Sequence, residues 1–159
     1  MLSHMSFSVY KNEICGFVGP NGSGKTTLIR TIMGLIRPNE GEILVNGISV
    51  QKNRKEALQH VGAIVEAPIF FPYMSGRKNL RNLGRITLRT GGEVLENKVQ
   101  QVLEIVGLEN RADDKVGTYS LGMKQRLGIA QALLGNPDFI ILDEPSNGLD
   151  PVGIKQLRK

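Results

Sequence analysis

Apolar residues alternate and then run together over "FSVYKNEICGFVG", residues 7–19, a pattern that predicts a strand. A glycine-rich stretch follows, and then "KTTLIRTIMGL", which reads as a helix. "GEILVNGISV" sets Asn46-Gly47 between two β-rich runs; this dipeptide suits a tight hairpin because both turn residues need positive φ. "VGAIVEAPIFFP" predicts another strand, broken at Pro68 and Pro72, with Ser75 as the cap of the next helix. Residues 75–118 read as a helical insertion, with Val99, Val102, Leu103 and Val106 on one face and Gly107 as a stop. "GMKQRLGIAQALLGNPD" then predicts a helix ended by Gly135 and Pro137, feeding the strand "FIIL" at 139–142. The expected class is α/β: a core of residues 1–74 and 119–159 with a mixed sheet and a small antiparallel piece, interrupted by the helices of 75–118.

At 159 residues the chain has the size of one domain. Hydrophobic residues make up 40% and charged ones 22%, and no apolar run approaches the roughly 20 residues that span a bilayer. No tripartite leader is visible, and "MLSH" is an abrupt start. Cys15 is the one cysteine; inside the first predicted strand it reads as a small buried hydrophobe. His4 and His60 read as structural or solvated.

The net charge of +5 fits nucleic acid, anionic lipid, an acidic substrate or a plain solubility excess. "KNRK" at 52–55 reads as a solvated helix start. Arg77, Arg81, Arg85 and Arg89 are spaced by four and form one basic stripe on a continuous helix, either a solvated face or a docking surface, although Gly84 and Thr87 argue against a single rigid helix. Aromatic residues amount to 5% and none interleave with these arginines, which speaks against a platform for single-stranded nucleic acid.

The first chemistry lies in "GPNGSGKTT". Gly19, Pro20, Asn21, Gly22, Ser23, Gly24, Lys25, Thr26 and Thr27 match the phosphate-loop pattern in full, with the required strand before and helix after. Glycines let the backbone curl so that successive N–H groups face phosphate oxygens, Lys25 reaches the terminal phosphates, and Thr26 offers its hydroxyl to Mg²⁺. The second is "FIILDE". Four apolar residues carry Asp143 and Glu144 to a strand end, where Asp143 fits the acid of a Mg²⁺ shell and Glu144 the base that orients an attacking water.

Between these motifs lies "YSLGMKQRLGIA", and after them "SNGLD". The first resembles the signature of ATP-binding-cassette (ABC) ATPases, usually written LSGGQ, with Ser120 and Gly122 on matching positions. Phosphate loop, signature, paired acids and D-loop occur in family order, so the resemblance covers essentially the whole chain. It implies a P-loop NTPase core, ATP and Mg²⁺ as ligands, and ATP hydrolysis with Glu144 and Lys25 as catalytic residues. It also implies a second cassette packed head to tail, the signature of one meeting the γ-phosphate held by the other. A transmembrane permease would keep the protein cytoplasmic and peripheral on the inner face of the membrane, with no nucleic acid expected.

Three departures stand out. Leu121 replaces a glycine, Met123 a glutamine, and Glu66 occupies the Q-loop position where most members carry glutamine. Glu66 together with "SLGMKQRLGIA" looks like the bacitracin-export and lantibiotic-immunity branch, and a carboxylate there can take a metal or water position. The family's adenine-stacking aromatic is expected upstream of residue 1 and its switch histidine beyond Lys159, so the chain reads as a piece truncated at both ends; Tyr10 is too close to the loop for the adenine role. Two other readings stay open. One is a soluble ABC ATPase acting on nucleic acid or ribosomes, the other a nucleotide-binding module without turnover.

Overall fold

The computed structural model describes residues 5–145; His4 and the "SNGLD" motif lie outside them. The chain divides into two compact units, Met1–Leu58 and Gln59–Lys159.

In the first unit, helix α1 spans Lys25–Ile32, with Gly24 as its left-handed cap at φ 99°. Strands β1, Leu44–Val45, and β2, Ile48–Ser49, pair antiparallel with Leu44 opposite Ser49 and Val45 opposite Ile48. Asn46 and Gly47, at φ 51° and 78°, make the expected tight turn. The short helix α2, Arg54–Ala57, follows, and Arg54 Nε donates to the Met33 carbonyl at 3.1 Å. Buried apolar residues are few among the described residues of this unit: Val45, Val50 and Ala57.

The strand predicted over the first apolar run does not form. Tyr10–Glu13 closes instead as a turn, with Glu13 N donating to Tyr10 O at 3.1 Å, Tyr10 N donating to the Glu13 carboxylate at 2.8 Å, and Asn12 at φ 66°. Ile14 and Val18 are 102% and 92% exposed. Cys15 is exposed as well, so its expected burial is corrected. The cause is the ladder: an extended segment becomes a strand only when a neighbour accepts its hydrogen bonds, and none of the described residues pairs with it.

The second unit carries the main core. Strand β3, Val61–Ile64, runs parallel to β4, Phe139–Leu142, in the register Val61 to Phe139 and Ile64 to Leu142. Helices α3, Gly76–Leu88, α4, Gly92–Ile105, and α5, Leu121–Leu133, lie between them in sequence, with 3-10 turns at Glu109–Arg111 and Val116–Thr118. Ser75 caps α3, its Oγ accepting from Lys78 N at 3.2 Å. Val99, Val102, Leu103 and Val106 are all buried, as their spacing requires. Gly107 ends α4 at φ 64°; its N–H reaches Glu104 O at 3.0 Å and that of Leu108 reaches Leu103 O at 2.9 Å, the paired bonds of a glycine C-cap.

Helix α3 is continuous through Gly84 and Thr87, against expectation, because Gly84 serves packing. A Cβ there would lie 2.6 Å from Leu95 Cδ1 on α4. The arginine stripe is partly neutralised by α4 and the turn after it. Arg77 pairs with Asp113 at 3.1 Å and donates to Gln100 at 2.9 Å, while Arg81 Nη2 donates to Glu96 at 2.7 Å. Helix α5 approaches β3 closely enough that a Cβ on Gly62 would meet the Ala132 carbonyl oxygen at 2.2 Å.

Candidate functional site: a phosphate loop and a pair of strand-end acids

The phosphate loop belongs to the first unit. Ser23 N donates to Pro20 O at 3.2 Å and Leu28 N to Gly24 O at 2.8 Å, so a turn passes directly into α1. Gly22 and Gly24 both take positive φ, 80° and 99°, which L side chains adopt only under strain. The first turn of α1 stands at the positive end of the helix dipole. Lys25 folds back over the loop, Nζ donating to Gly19 O at 2.8 Å and Pro20 O at 3.0 Å. Two neutral carbonyls position the ammonium without neutralising it. Gly19 cannot carry a side chain freely, since its Cβ would sit 2.8 Å from Ser23 Oγ. Thr26 is half-buried, whereas Pro20, Asn21 and Thr27 are exposed.

The acids belong to the second unit. Asp143 N donates to Ile64 O at 3.0 Å, carrying the parallel ladder one residue beyond β4. Because Ile64 is in register with Leu142, Glu66 and Glu144 leave the pair at matching positions, two residues past each partner. Both turn into positive φ, 90° for Glu66 and 44° for Glu144. Non-glycine residues in such regions cost of order 1–3 kcal/mol each and cluster at functional sites. Asp143 is half-buried and the two glutamates are exposed. Helix α5 comes close to the chain just after Glu66, where a Cβ on Gly128 would meet Pro68 at 2.7 Å. The C-terminal rim of a parallel pair is where open α/β sheets carry chemistry.

Ser120 is the N-cap of α5, its Oγ accepting from Met123 N at 3.2 Å. Gly122 lies half-buried in the first turn, and Leu121, which replaces the family's glycine, is 66% exposed. Met123 packs on the hydrophobic core, so the polar atoms it offers are those of its backbone.

Of the residues expected to hold Mg²⁺, Thr26 carries its hydroxyl in the first unit, and Glu66 and Asp143 carry their carboxylates in the second; oxygen donors of this kind are those Mg²⁺ takes.

Two residues escaped sequence reasoning. Asn79 is buried, accepts from Phe71 N at 2.9 Å through Oδ1, and donates to Phe71 O at 3.1 Å and Ser75 O at 3.0 Å. It clamps a segment whose side chains point outward: Ile69, Phe71 and Tyr73 are 93%, 53% and 65% exposed, and the two rings stand 5.8 Å apart. An amide on the buried face of a helix is the signal that finds it. The other is Tyr119, buried directly ahead of Ser120.

The family model described as ABC transporter matches residues 2–147. The bacitracin transport ATP-binding protein BcrA of Bacillus licheniformis is 48% identical over 158 residues, covering 99% of this chain and 50% of that protein. An ABC transporter ATP-binding protein of Bacillus subtilis (strain 168), YhcH, gives the same identity and coverage. Among solved structures, a dimeric post-hydrolysis ATP-binding cassette bound to ADP and Pi superposes with a TM-score of 0.76 at 27% identity, covering 87% of this chain and 63% of that one. The chain spans about half the length of the curated relatives it matches.

Proposed function

The chain belongs to the ABC transporter family, and from that premise we propose that the complete protein is the ATP-hydrolysing subunit of an exporter of peptide antibiotics or related compounds. The observation that carries the ATPase reading is the phosphate loop, where two glycines in positive φ bring the first turn of α1 and the Lys25 ammonium to one edge. ATP binds there, along residues 19–27. Glu144 orients the attacking water, and Asp143, Thr26 and Glu66 hold the metal. Mg²⁺, when bound, neutralises charge on the terminal phosphates. Ser120 and Gly122 serve the nucleotide of a second cassette; the likeness to a dimeric cassette supports such a pairing. The export reading is supported by the bacitracin transport relative.

A permease is the second partner. Among the described residues no helix is long and apolar enough to cross a membrane, and the Asn79-clamped patch of Ile69, Phe71 and Tyr73 is an exposed apolar surface held in a fixed shape, the kind that marks a protein contact. The permease would hold the subunit at the inner face of the membrane.

The test is phosphate release by the complete protein, with Glu144→Gln as control. Mg-dependent turnover, lowered about 10²–10³-fold in Glu144→Gln, is expected, because removing one positioned transition-state contact costs about that much in rate. Equal turnover in Glu144→Gln removes that residue from its role. Glu66→Gln should shift the Mg²⁺ dependence of the rate, and an unchanged Mg²⁺ titration returns Glu66 to a solvated strand end.

A further inference from the structure

Ser120 can serve a phosphate on another molecule only if its place is fixed before that molecule arrives, and the contacts that fix it converge on the residue ahead of it. Tyr119 is 4% exposed. Its hydroxyl donates to the Arg111 carbonyl at 2.6 Å and its backbone N–H to Val116 O at 3.1 Å. The first residue of α3 lies against the same phenol: a Cβ on Gly76 would be 2.5 Å from the hydroxyl oxygen and 3.3 Å from Cζ. Neighbouring backbone bonds tie the same pieces together, Gly76 N to Asp114 O at 3.3 Å, Arg77 N to Ala112 O at 2.8 Å, Val116 N to Met74 O at 2.9 Å and Gly117 N to Pro72 O at 2.8 Å.

Most of these bonds would form with any apolar residue at 119, because they belong to the backbone. The hydroxyl is different. It adds a directional bond across eight residues, from the 3-10 turn to the position before the α5 cap. The ring alone would fill the space. Leucine, usual at this place in the signature, would offer no such bond.

We propose that Tyr119 is a positioning residue for the signature: its hydroxyl, bonded to Arg111 O, fixes Ser120 and the N-terminus of α5 in the orientation that meets the terminal phosphate of a nucleotide held by a second copy of the chain. This rests on the head-to-tail reading above. Burial pushes the Tyr119 hydroxyl up from its ordinary value, with Asp114 and Asp113 adding to the rise and Arg111 opposing it, so it remains a donor throughout the working range of pH. The bond holds a preorganised contact, and its loss should appear where two copies meet and leave each copy's own phosphate loop unaffected.

The experiment uses the complete protein carrying Glu144→Gln to block turnover, with and without Tyr119→Phe. Binding of a fluorescent ATP analogue under monomeric conditions reports the phosphate loop, and sedimentation against MgATP concentration reports dimer formation. Expected is a dimer midpoint moved roughly tenfold higher in ATP by Tyr119→Phe, with monomer affinity within about twofold of the parent and, in the Glu144 background, a lower kcat. A tenfold shift corresponds to about 1.4 kcal/mol, near the worth of one buried hydrogen bond. Tyr119→Met, which keeps an apolar filling of similar reach, should give the same shift and stands in should the phenylalanine variant melt early. An unchanged midpoint in either folded variant overturns the proposal, whatever the melting temperature does. If the Glu144→Gln parent itself fails to dimerise with MgATP while binding the analogue, the head-to-tail reading is overturned and Tyr119 loses this role with it.

Discussion

The two units solve the same problem, holding a functional group in place, by different means. In the first, the phosphate loop is held by its own atoms: a Lys25 side chain bonded to two carbonyls, a turn closed by Ser23 N, and glycines that accept positive φ. Among its described residues three apolar ones are buried, and the apolar run ahead of the loop stays open. In the second, the acids are held by packing. A core of sixteen buried residues gathers α3, α4, α5 and β3, and two glycines on the β3–α5 contact set the path of the chain that ends in Glu66. A local motif can therefore form without a core, whereas a strand-end acid cannot.

The comparison is broken most sharply at the residues proposed to act on ATP, whose replacement should remove function without removing structure. In the complete protein Glu144→Gln should lower turnover by about 10²–10³ and leave nucleotide binding intact, which paired rate and binding titrations check. Lys25→Ala should weaken nucleotide binding by about 3 kcal/mol, over a hundredfold. An affinity within threefold of the parent removes Lys25 from the site.

A glycine pair separates the units next. Gly62→Ala drives a Cβ into a backbone carbonyl at 2.2 Å, which cannot swing away, so the second unit should lose about 3 kcal/mol or more. Gly16→Ala, with nothing within 4 Å and no positive φ, should shift stability by less than about 1 kcal/mol and can raise it by restricting the unfolded chain. Chemical denaturation of both variants measures the contrast.

The smallest effect is a titration. Because the folded-state pKa of Tyr119 is raised above its unfolded value, the stability tied to its neutral hydroxyl is fully present below about pH 10 and is lost as pH climbs through the folded value. The stability gap between the parent and Tyr119→Phe should be flat from neutral pH to about 9 and narrow above 10. Denaturant midpoints across that range give the answer, and a gap that narrows below pH 8 points to another group.

What the sequence made legible follows the same division. Features that one short segment determines were readable: the Asn46-Gly47 turn, the Ser75 cap, the Gly107 stop and the buried face of α4 all depend on residues within a few positions of one another. Hydropathy also located "FIIL" as a strand. It failed for residues 7–18, because alternation states what a segment could bury and says nothing about whether a neighbour pairs with it. Gly84 misled for a related reason. As propensity it reads as a helix fault, while in the fold it is the point where α4 comes close. The roles of Tyr119 and Asn79 were harder to read because their partners, the Arg111 and Phe71 backbones, stand eight residues away and have no side-chain signature; for Asn79 the one clue was an amide on the apolar face of a helix.

The parallel pairing of β3 with β4 also sets a timetable. Val61 finds its register partner only at Phe139, and at about 5–20 residues per second of synthesis that partner leaves the ribosome roughly 4–16 s after Val61 does. Helices α3 and α4 need only each other's neighbourhood in sequence and are complete well inside that interval. During it the edge of β3 is an unpaired row of backbone donors and acceptors, open to other nascent chains. The interval makes β3 the place where a holding chaperone would most improve the yield of folded protein.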